Sequence, residues 1–222
     1  MIKKNIILEI EELLDNKKII DYNILSDSFG INCLKIEIEE KEQYIVKYYY
    51  KKEGRFNAIK SEADNILFLN SHKFNFFPKI INNNNKFLIM SFIDNNNNLP
   101  IKTNNDLLDA IISLHSKRSN NYGFNFDTQI GGLKQSNSNS KNWVEFYRDK
   151  RLYYIFDLIN KNQPMDKTIN TKIELLLKKI HNFIPNKPKP SLLHGDLWEG
   201  NILFKNKKFS GFIDPGSFYG HN

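Results

Sequence analysis

The chain has 222 residues with 32 Lys and Arg against 25 Asp and Glu, a formal charge of +7, and 40% hydrophobic residues, enough to bury the core of one large domain or two small lobes. Its single cysteine, Cys33, excludes an internal disulfide and with it the small secreted scaffolds stapled by cystines, so a reducing, cytoplasmic setting is expected. The apolar runs at residues 6–8 and 87–93 are too short for a signal peptide or a membrane span, and the lysines are scattered as singles and pairs, so neither a membrane nor a nucleic acid is an expected partner.

Ile2, Ile6, Ile7, Ile10, Leu13 and Leu14 recur at helical spacing and predict an amphipathic helix ending near Asn16. A strand over residues 19–25 follows, then a turn, Ser26-Asp27-Ser28-Phe29-Gly30. Leu34, Ile36 and Ile38 alternate with Lys35, Glu37 and Glu39, the period of a half-buried strand, and a strand over 43–49 returns antiparallel after a short polar turn. Ala58, Ala63, Ile66, Leu67 and Leu69 then fit a helix over 56–70. Strands over 78–81 and 87–93, joined by the first run of four asparagines, complete a five-stranded sheet with one inserted helix. The second asparagine run and Leu99-Pro100 mark a boundary, which gives residues 1–94 as an N-lobe and 95–222 as a C-lobe. There the pattern becomes helical, around residues 107–114, 143–159 and 173–184. Residues 130–142, rich in Ser, Asn and Gly, read as a flexible loop, and the prolines within 185–190 end the last helix. Short strands at 192–193 and 209–213, with 202–204 between them, close the chain.

The chemistry concentrates in His194-Gly195-Asp196-Leu197-Trp198-Glu199-Gly200-Asn201, followed thirteen positions later by Asp214-Pro215. Phosphoryl transfer needs one carboxylate to take the proton of an attacking hydroxyl, a role Asp196 fits. It also needs oxygen ligands for the divalent cation that bridges the phosphates, a role for Asn201 and Asp214 with Mg2+. Each of these residues alone reads as a turn former; flanked by apolar strands, the three form a set. Lys47 on the third strand and Glu62 on the next helix, fifteen positions on, match a lysine that contacts nucleotide phosphates and the glutamate that holds it. Without the catalytic loop they would read as a solvated pair. The stretch 87–93 serves equally as core strand or as the strand and hinge that meet an adenine ring. The turn 26–30 holds only one glycine, where a phosphate-covering turn normally relies on several.

The strings Leu-Leu-His-Gly-Asp-Leu-Trp-Glu-Gly-Asn at 192–201 and Asp-Pro-Gly-Ser-Phe-Tyr-Gly-His at 214–221 resemble the two signature segments of the fructosamine kinase, or ketosamine-3-kinase, family. Residues 130–137 and 142–152 resemble two further segments. The resemblance implies an α+β, bilobal, protein-kinase-like fold related to the aminoglycoside phosphotransferases, with a small antiparallel-sheet N-lobe and a mainly helical C-lobe. It implies transfer of the γ-phosphate of ATP, with Mg2+, to the sugar 3-hydroxyl of fructosamine, ribulosamine or erythrulosamine adducts of lysine side chains or free amines. The phosphorylated product then decomposes and frees the amine. Carried over, Asp196 is the proton acceptor, Asn201 and Asp214 hold metal, Lys47 and Glu62 anchor the phosphates, and Ser91, Phe92 and Ile93 form the hinge; Trp198 and His221 line the sugar pocket. The alternatives are a related kinase of aminoglycosides or choline, and a non-catalytic remnant that binds nucleotide. Three departures stand out: the glycine-poor turn, a cysteine that falls after that turn rather than in it, and an end at Asn222 where family members continue into further helices. From the last we expect that helices 107–114 and 173–184 lose part of their cover and that the chain folds marginally or associates.

Overall fold

A computed structural model describes residues 2–51, 55–96, 98–100 and 105–222; Asn97, inside the expected boundary, lies outside them. Helix α1 (Lys4–Leu13) precedes three strands, β1 (Ile19–Ser28), β2 (Ile31–Ile38) and β3 (Gln43–Tyr49), then helix α2 (Ala58–Ser71) and strands β4 (Ile80–Asn83) and β5 (Phe87–Ser91). They form the expected five-stranded antiparallel sheet, in the order β1-β2-β3-β5-β4. Its two faces follow from the period of two. Leu34, Ile36 and Ile38 of β2, with Val46 and Ile89, pack on Ile6, Ile10 and Leu14 of the α1 segment. Ile45, Tyr49, Leu88 and Met90 point the other way, onto Ile59, Ala63 and Ile66 of α2. Each such side chain contributes about 1.5–3 kcal/mol on burial, so the two helices are held by their apolar stripes rather than by helix propensity.

Where a turn over residues 26–30 was expected, β1 runs on to Ser28, pairing with Ile31, and only Phe29-Gly30 turn the chain. Both have positive φ, 51° and 71°, the geometry of a two-residue type I′ hairpin. Gly30 is required there, because a Cβ would lie 1.8 Å from the Lys51 carbonyl oxygen.

Chain contacts divide the molecule into two compact units that interleave in sequence. The first takes the described part of Met1–Leu108, with Gln129–Lys134 and Asp196–Pro215; the second takes Asp109–Thr128, Gln135–Gly195 and Gly216–Asn222. In the first unit, β9 (Ile202–Lys205) and β10 (Lys208–Phe212) form a hairpin. Phe212 packs edge-on to Phe76 at 5.5 Å between ring centroids and lies 5.8 Å from Phe77. Helix α3 (Asn105–Ser116) runs across the division. The second unit carries α4 (Trp143–Tyr147), a π-helical turn (Arg148–Tyr153), α5 (Tyr154–Asn162) and α6 (Lys167–Lys179), and β8 (Ser191–Leu193) paired with β11 (Phe218–Gly220).

The expectation of a flexible loop over 130–142 is corrected. Strands β6 (Thr128–Ile130) and β7 (Leu133–Gln135) form a hairpin whose turn is Gly131-Gly132, at φ 51° and 84°. Gln135 and Asn137 are buried. The single helix expected over 143–159 is interrupted by the π-helical turn, and α6 starts six residues early because Asp166 caps it, accepting from Thr168 N at 2.7 Å. Leu108 and Ile112 of α3 and Ile169, Leu175 and Leu176 of α6 are exposed, Ile112 by 64%. Among the described residues no helix is long and apolar enough to cross a membrane.

Candidate active site

Lys47 sits between Ile45 and Tyr49 on the α2 face of β3, where its register partners are Cys33 of β2 and Leu88 of β5. Helix α2 begins one turn before Glu62, with Asn57 capping it by accepting from Lys60 N at 3.0 Å and Tyr49 Oη receiving Ala58 N at 2.9 Å. The buried Lys47 ammonium therefore meets Glu62 Oε1 at 2.7 Å, and it also meets Asp214 Oδ1 at 2.7 Å. Burial alone would push Lys47 down, but the Asp214 and Glu62 carboxylates hold it above the usual lysine range. Burial pushes Glu62 up to about 7, with Lys47 opposing. One of these shifts favours charge and the other neutrality. The ammonium touches both carboxylates, so we read the trio as one cation shared by two anions, with a net charge of −1.

Asp214 follows β10 in the left-handed conformation, φ 55°, which Asp tolerates better than most residues. Ile213 N donates to Asn201 O at 3.1 Å, which ties this stretch to the loop of Asp196. In that loop Asn201, buried, closes a 3₁₀ turn (Glu199–Asn201) and donates from Nδ2 to the carbonyl oxygen of Asp196 at 2.8 Å and to its Oδ2 at 3.2 Å. The amide NH2 is thereby committed, and the carbonyl oxygen is the atom Asn201 can offer a cation. Burial raises the Asp196 carboxyl, Asn201 opposes that, and the Asp214 charge raises it further.

These side chains open onto a cavity of about 920 Å³ lined entirely by residues of the first unit. Ile31, Ile45, Met90, Leu203 and Ile213 give it apolar walls; Lys47, Glu62, Asp196, Asn201 and Asp214 collect at its polar end. Ser91, Phe92 and Ile93 also line it. Ser91 N and Phe92 N donate to Lys79 O at 2.8 Å and Gln43 O at 3.3 Å, while Ile93 O accepts from Asn95 Nδ2 at 2.8 Å. Lys35 Nζ stands 3.9 Å from the centroid of Phe92. Cys33 faces the cavity too, its thiol pushed up to about 11 by burial despite the pull of Lys47, so it is a poor nucleophile near neutral pH.

Trp198 is 58% exposed and lines the cavity with its six-membered ring close against Gly200, where a Cβ would fall 2.3 Å from the indole. His221 belongs to the second unit, is exposed, and lies 6.4 Å from Trp143 between ring centroids.

Among the described residues no three His, Cys, Asp or Glu side chains converge to hold a metal by themselves. The donors available are two carboxylates and an amide oxygen, a hard-oxygen set suited to Mg2+ once phosphate oxygens complete it. Burial is what chiefly raises Asp196; the Asp214 charge adds to it, and that addition is what a cation there would relieve. In this sense the residues fit the metal.

One residue escaped the sequence reading. Asn65 of α2, fully buried, donates to Pro215 O at 2.9 Å, and its Oδ1 has no partner. Its signal is a lone amide, three positions after Glu62, on the apolar stripe of Ala63, Ile66 and Leu69.

A sequence profile of the fructosamine kinase family matches residues 6–222. The chloroplastic protein-ribulosamine 3-kinase of Arabidopsis thaliana is 35% identical over 139 residues, 61% of this chain and 42% of that protein. The ketosamine-3-kinase of Mus musculus is 38% identical over 101 residues, 46% of this chain and 32% of that protein. Each match thus spans less than half the relative's length. A candidate fructosamine-3-kinase structure from Thermobifida fusca superposes with a TM-score of 0.80 at 19% identity, covering 97% of this chain and 74% of that one. The ADP-bound aminoglycoside phosphotransferase APH(2'')-Ib gives 0.64 at 20% identity, covering 99% and 73%. At these identities the structures establish the fold, α+β and protein-kinase-like, as the motifs implied.

Proposed function

The chain belongs to the fructosamine kinase family, and from that premise we propose that it is an ATP- and Mg2+-dependent kinase acting on the sugar 3-hydroxyl of ketosamines. The observation that carries the reading is Lys47 placed 2.7 Å from both Glu62 and Asp214 in the cavity that also holds Asp196 and Asn201. In this reading adenine lies between the apolar walls and the N–H of Ile93 serves as its donor, since Ser91 and Phe92 spend theirs in the sheet. Lys47, steadied by Glu62, binds the nucleotide phosphates. Asn201 and Asp214 would hold Mg2+, which when bound would supply positive charge against the transferring phosphoryl group.

Asp196 accepts the proton of the sugar hydroxyl as its oxygen bonds to the γ-phosphorus and the bond to the β–γ bridging oxygen breaks, leaving ADP. Its raised pKa, set first by burial, makes it a better base than an ordinary aspartate. The broad, exposed face of Trp198 is suited to stack on a sugar ring. His221, in the second unit, enters the reading through the resemblance of residues 214–221 to the family's signature segment.

The test is ATP consumption with Mg2+ against fructosamine, ribulosamine and erythrulosamine adducts of lysine, with an aminoglycoside and choline as controls and Asp196→Ala beside the wild type. Turnover on a ketosamine that vanishes in the variant is the expected result. Turnover on the controls alone points to another hydroxyl kinase, and a folded chain that binds nucleotide without any turnover points to a non-catalytic protein.

A further inference from the structure

Residues 130–137 and 142–152 carry part of the family resemblance yet hold none of the groups given a chemical role above. In the second unit, side chains from these segments and from Thr128 build a hydrogen-bond network whose polarity can be followed atom by atom. Arg151 has only donors, so the atom of Asn137 that its Nη2 meets at 2.6 Å is the carbonyl oxygen. The amide NH2 of Asn137 must then face the other way, where it donates to Phe126 O at 3.1 Å and to Thr128 Oγ1 at 2.8 Å. Thr128 Oγ1 receives a second donor, Gln135 Nε2, at 3.0 Å. With both lone pairs filled, the hydroxyl hydrogen must point elsewhere, and the Gly216 carbonyl oxygen is 3.3 Å away. Gln135 Nε2 donates to that same oxygen at 2.8 Å.

Gly216 is a junction. Its N–H donates to His194 O at 2.9 Å, and Gly195 approaches so closely that a Cβ there would sit 1.9 Å from Gly216 O. One of these backbone stretches runs directly into Asp196; the other has just left Asp214. Thr128, Gln135 and Asn137 are all buried, and Gln135 Oε1 and Arg151 Nε lack partners. Apolar side chains of similar volume could fill this space, but they would leave the Gly216 and Phe126 carbonyl oxygens without these donors. What only the polar set supplies is a fixed direction for the Gly216 carbonyl.

We propose that Arg151, Asn137, Thr128 and Gln135 are positioning residues, which orient Gly216 against Gly195 and so set where Asp214 stands, as a ligand of the divalent cation, relative to the loop of Asp196 and Asn201. This rests on the kinase reading above. The measurement is ADP affinity of the full chain by calorimetry, with and without Mg2+, beside its melting temperature. Thr128→Val keeps the shape and loses the hydroxyl; Thr128→Ser keeps the hydroxyl. The tightening of ADP binding by Mg2+ should fall about tenfold in Thr128→Val, as when partners behind a metal ligand are removed, and return in Thr128→Ser, while ADP affinity without Mg2+ stays near wild type. Arg151→Met, at the partly exposed end of the network, should act in the same direction and serves if the valine variant fails to fold. The proposal is overturned if folded variants keep the wild-type Mg2+ effect, or lose affinity equally with and without Mg2+. A folded wild type that binds no ADP at all removes the kinase reading and this proposal together.

Discussion

Taking the ammonium from Lys47 and taking the charge from Asp196 should have opposite effects on stability. Lys47→Met leaves two carboxylates without their shared cation, one of them on Glu62, which is only 4% exposed; losing one partner of a buried pair costs about 3–5 kcal/mol. The pH dependence has a definite sign. Burial already lifts Glu62 in the folded state to about 7, from an ordinary 4.5, with Lys47 opposing; without the ammonium it rises further. A folded state that binds its proton more tightly than the unfolded state loses stability as pH rises between the two pKa values. Urea unfolding of Lys47→Met should therefore show stability recovering from pH 8 toward pH 5, and a flat profile would mean that the pair is not charged as we describe. Asp196→Asn differs, because burial raises Asp196 and its ionised form is held at a cost. We expect kcat to drop about 10²–10⁴-fold while the melting temperature stays level or rises, and the acid limb of wild-type kcat/KM to lie above the usual aspartate range. A destabilised Asp196→Asn protein would contradict this. The five polar residues of this cluster were legible in the sequence because each interrupts or closes an apolar strand or helix, whose period settles which way the residue points.

At the scale of elements, α2 brackets the site twice, through Glu62 and, one turn on, through Asn65. Replacing Asn65 by Leu removes a donor from the buried Pro215 carbonyl, a loss of about 1–3 kcal/mol, but it also removes the unmet Oδ1, a gain of similar size. Stability should change by less than about 1 kcal/mol, while nucleotide affinity falls several-fold as the chain beside Asp214 loosens. A variant that is much less stable yet binds normally would show that Asn65 only packs. Asn65 was not legible because one amide on an apolar stripe is indistinguishable from ordinary tolerance until the carbonyl it meets, 150 positions away, is known. The hairpin β6–β7 was missed for a related reason. Ser, Asn and Gly mark loops by composition, yet here two glycines at positive φ make a tight turn, and the amides that follow are buried by partners distant in sequence. The turn at Phe29-Gly30 misled in the opposite direction, since a phenylalanine rarely takes the left-handed conformation that a two-residue hairpin demands.

The sheet and its helices were readable because β2 and the two helices packed on the sheet keep an apolar period that the weaker strands then follow; how the chain is shared between its compact units was not. A cut near residue 94 follows composition, whereas the first unit also takes Gln129–Lys134 and Asp196–Pro215 from far along the chain. Phe204, Phe209 and Phe212 of the β9–β10 hairpin join an aromatic cluster with Phe76 and Phe77, and the same return segment brings Asp196, Asn201 and Asp214 to Lys47. A fragment ending at residue 94 would hold the entire five-stranded sheet, both its helices, Lys47 and Glu62, but it would expose Phe76 and Phe77 and lack every oxygen donor assigned to the metal. We therefore expect that fragment to show no cooperative melt and no ADP binding. In the full chain, Mg2+ with ADP should stabilise the folded state by about 2.7 kcal/mol when ADP is a hundredfold above its Kd. Cooperative melting of the fragment with ADP affinity near that of the full chain would show that the return segment is dispensable, and the site would then belong to the sheet and α2 alone.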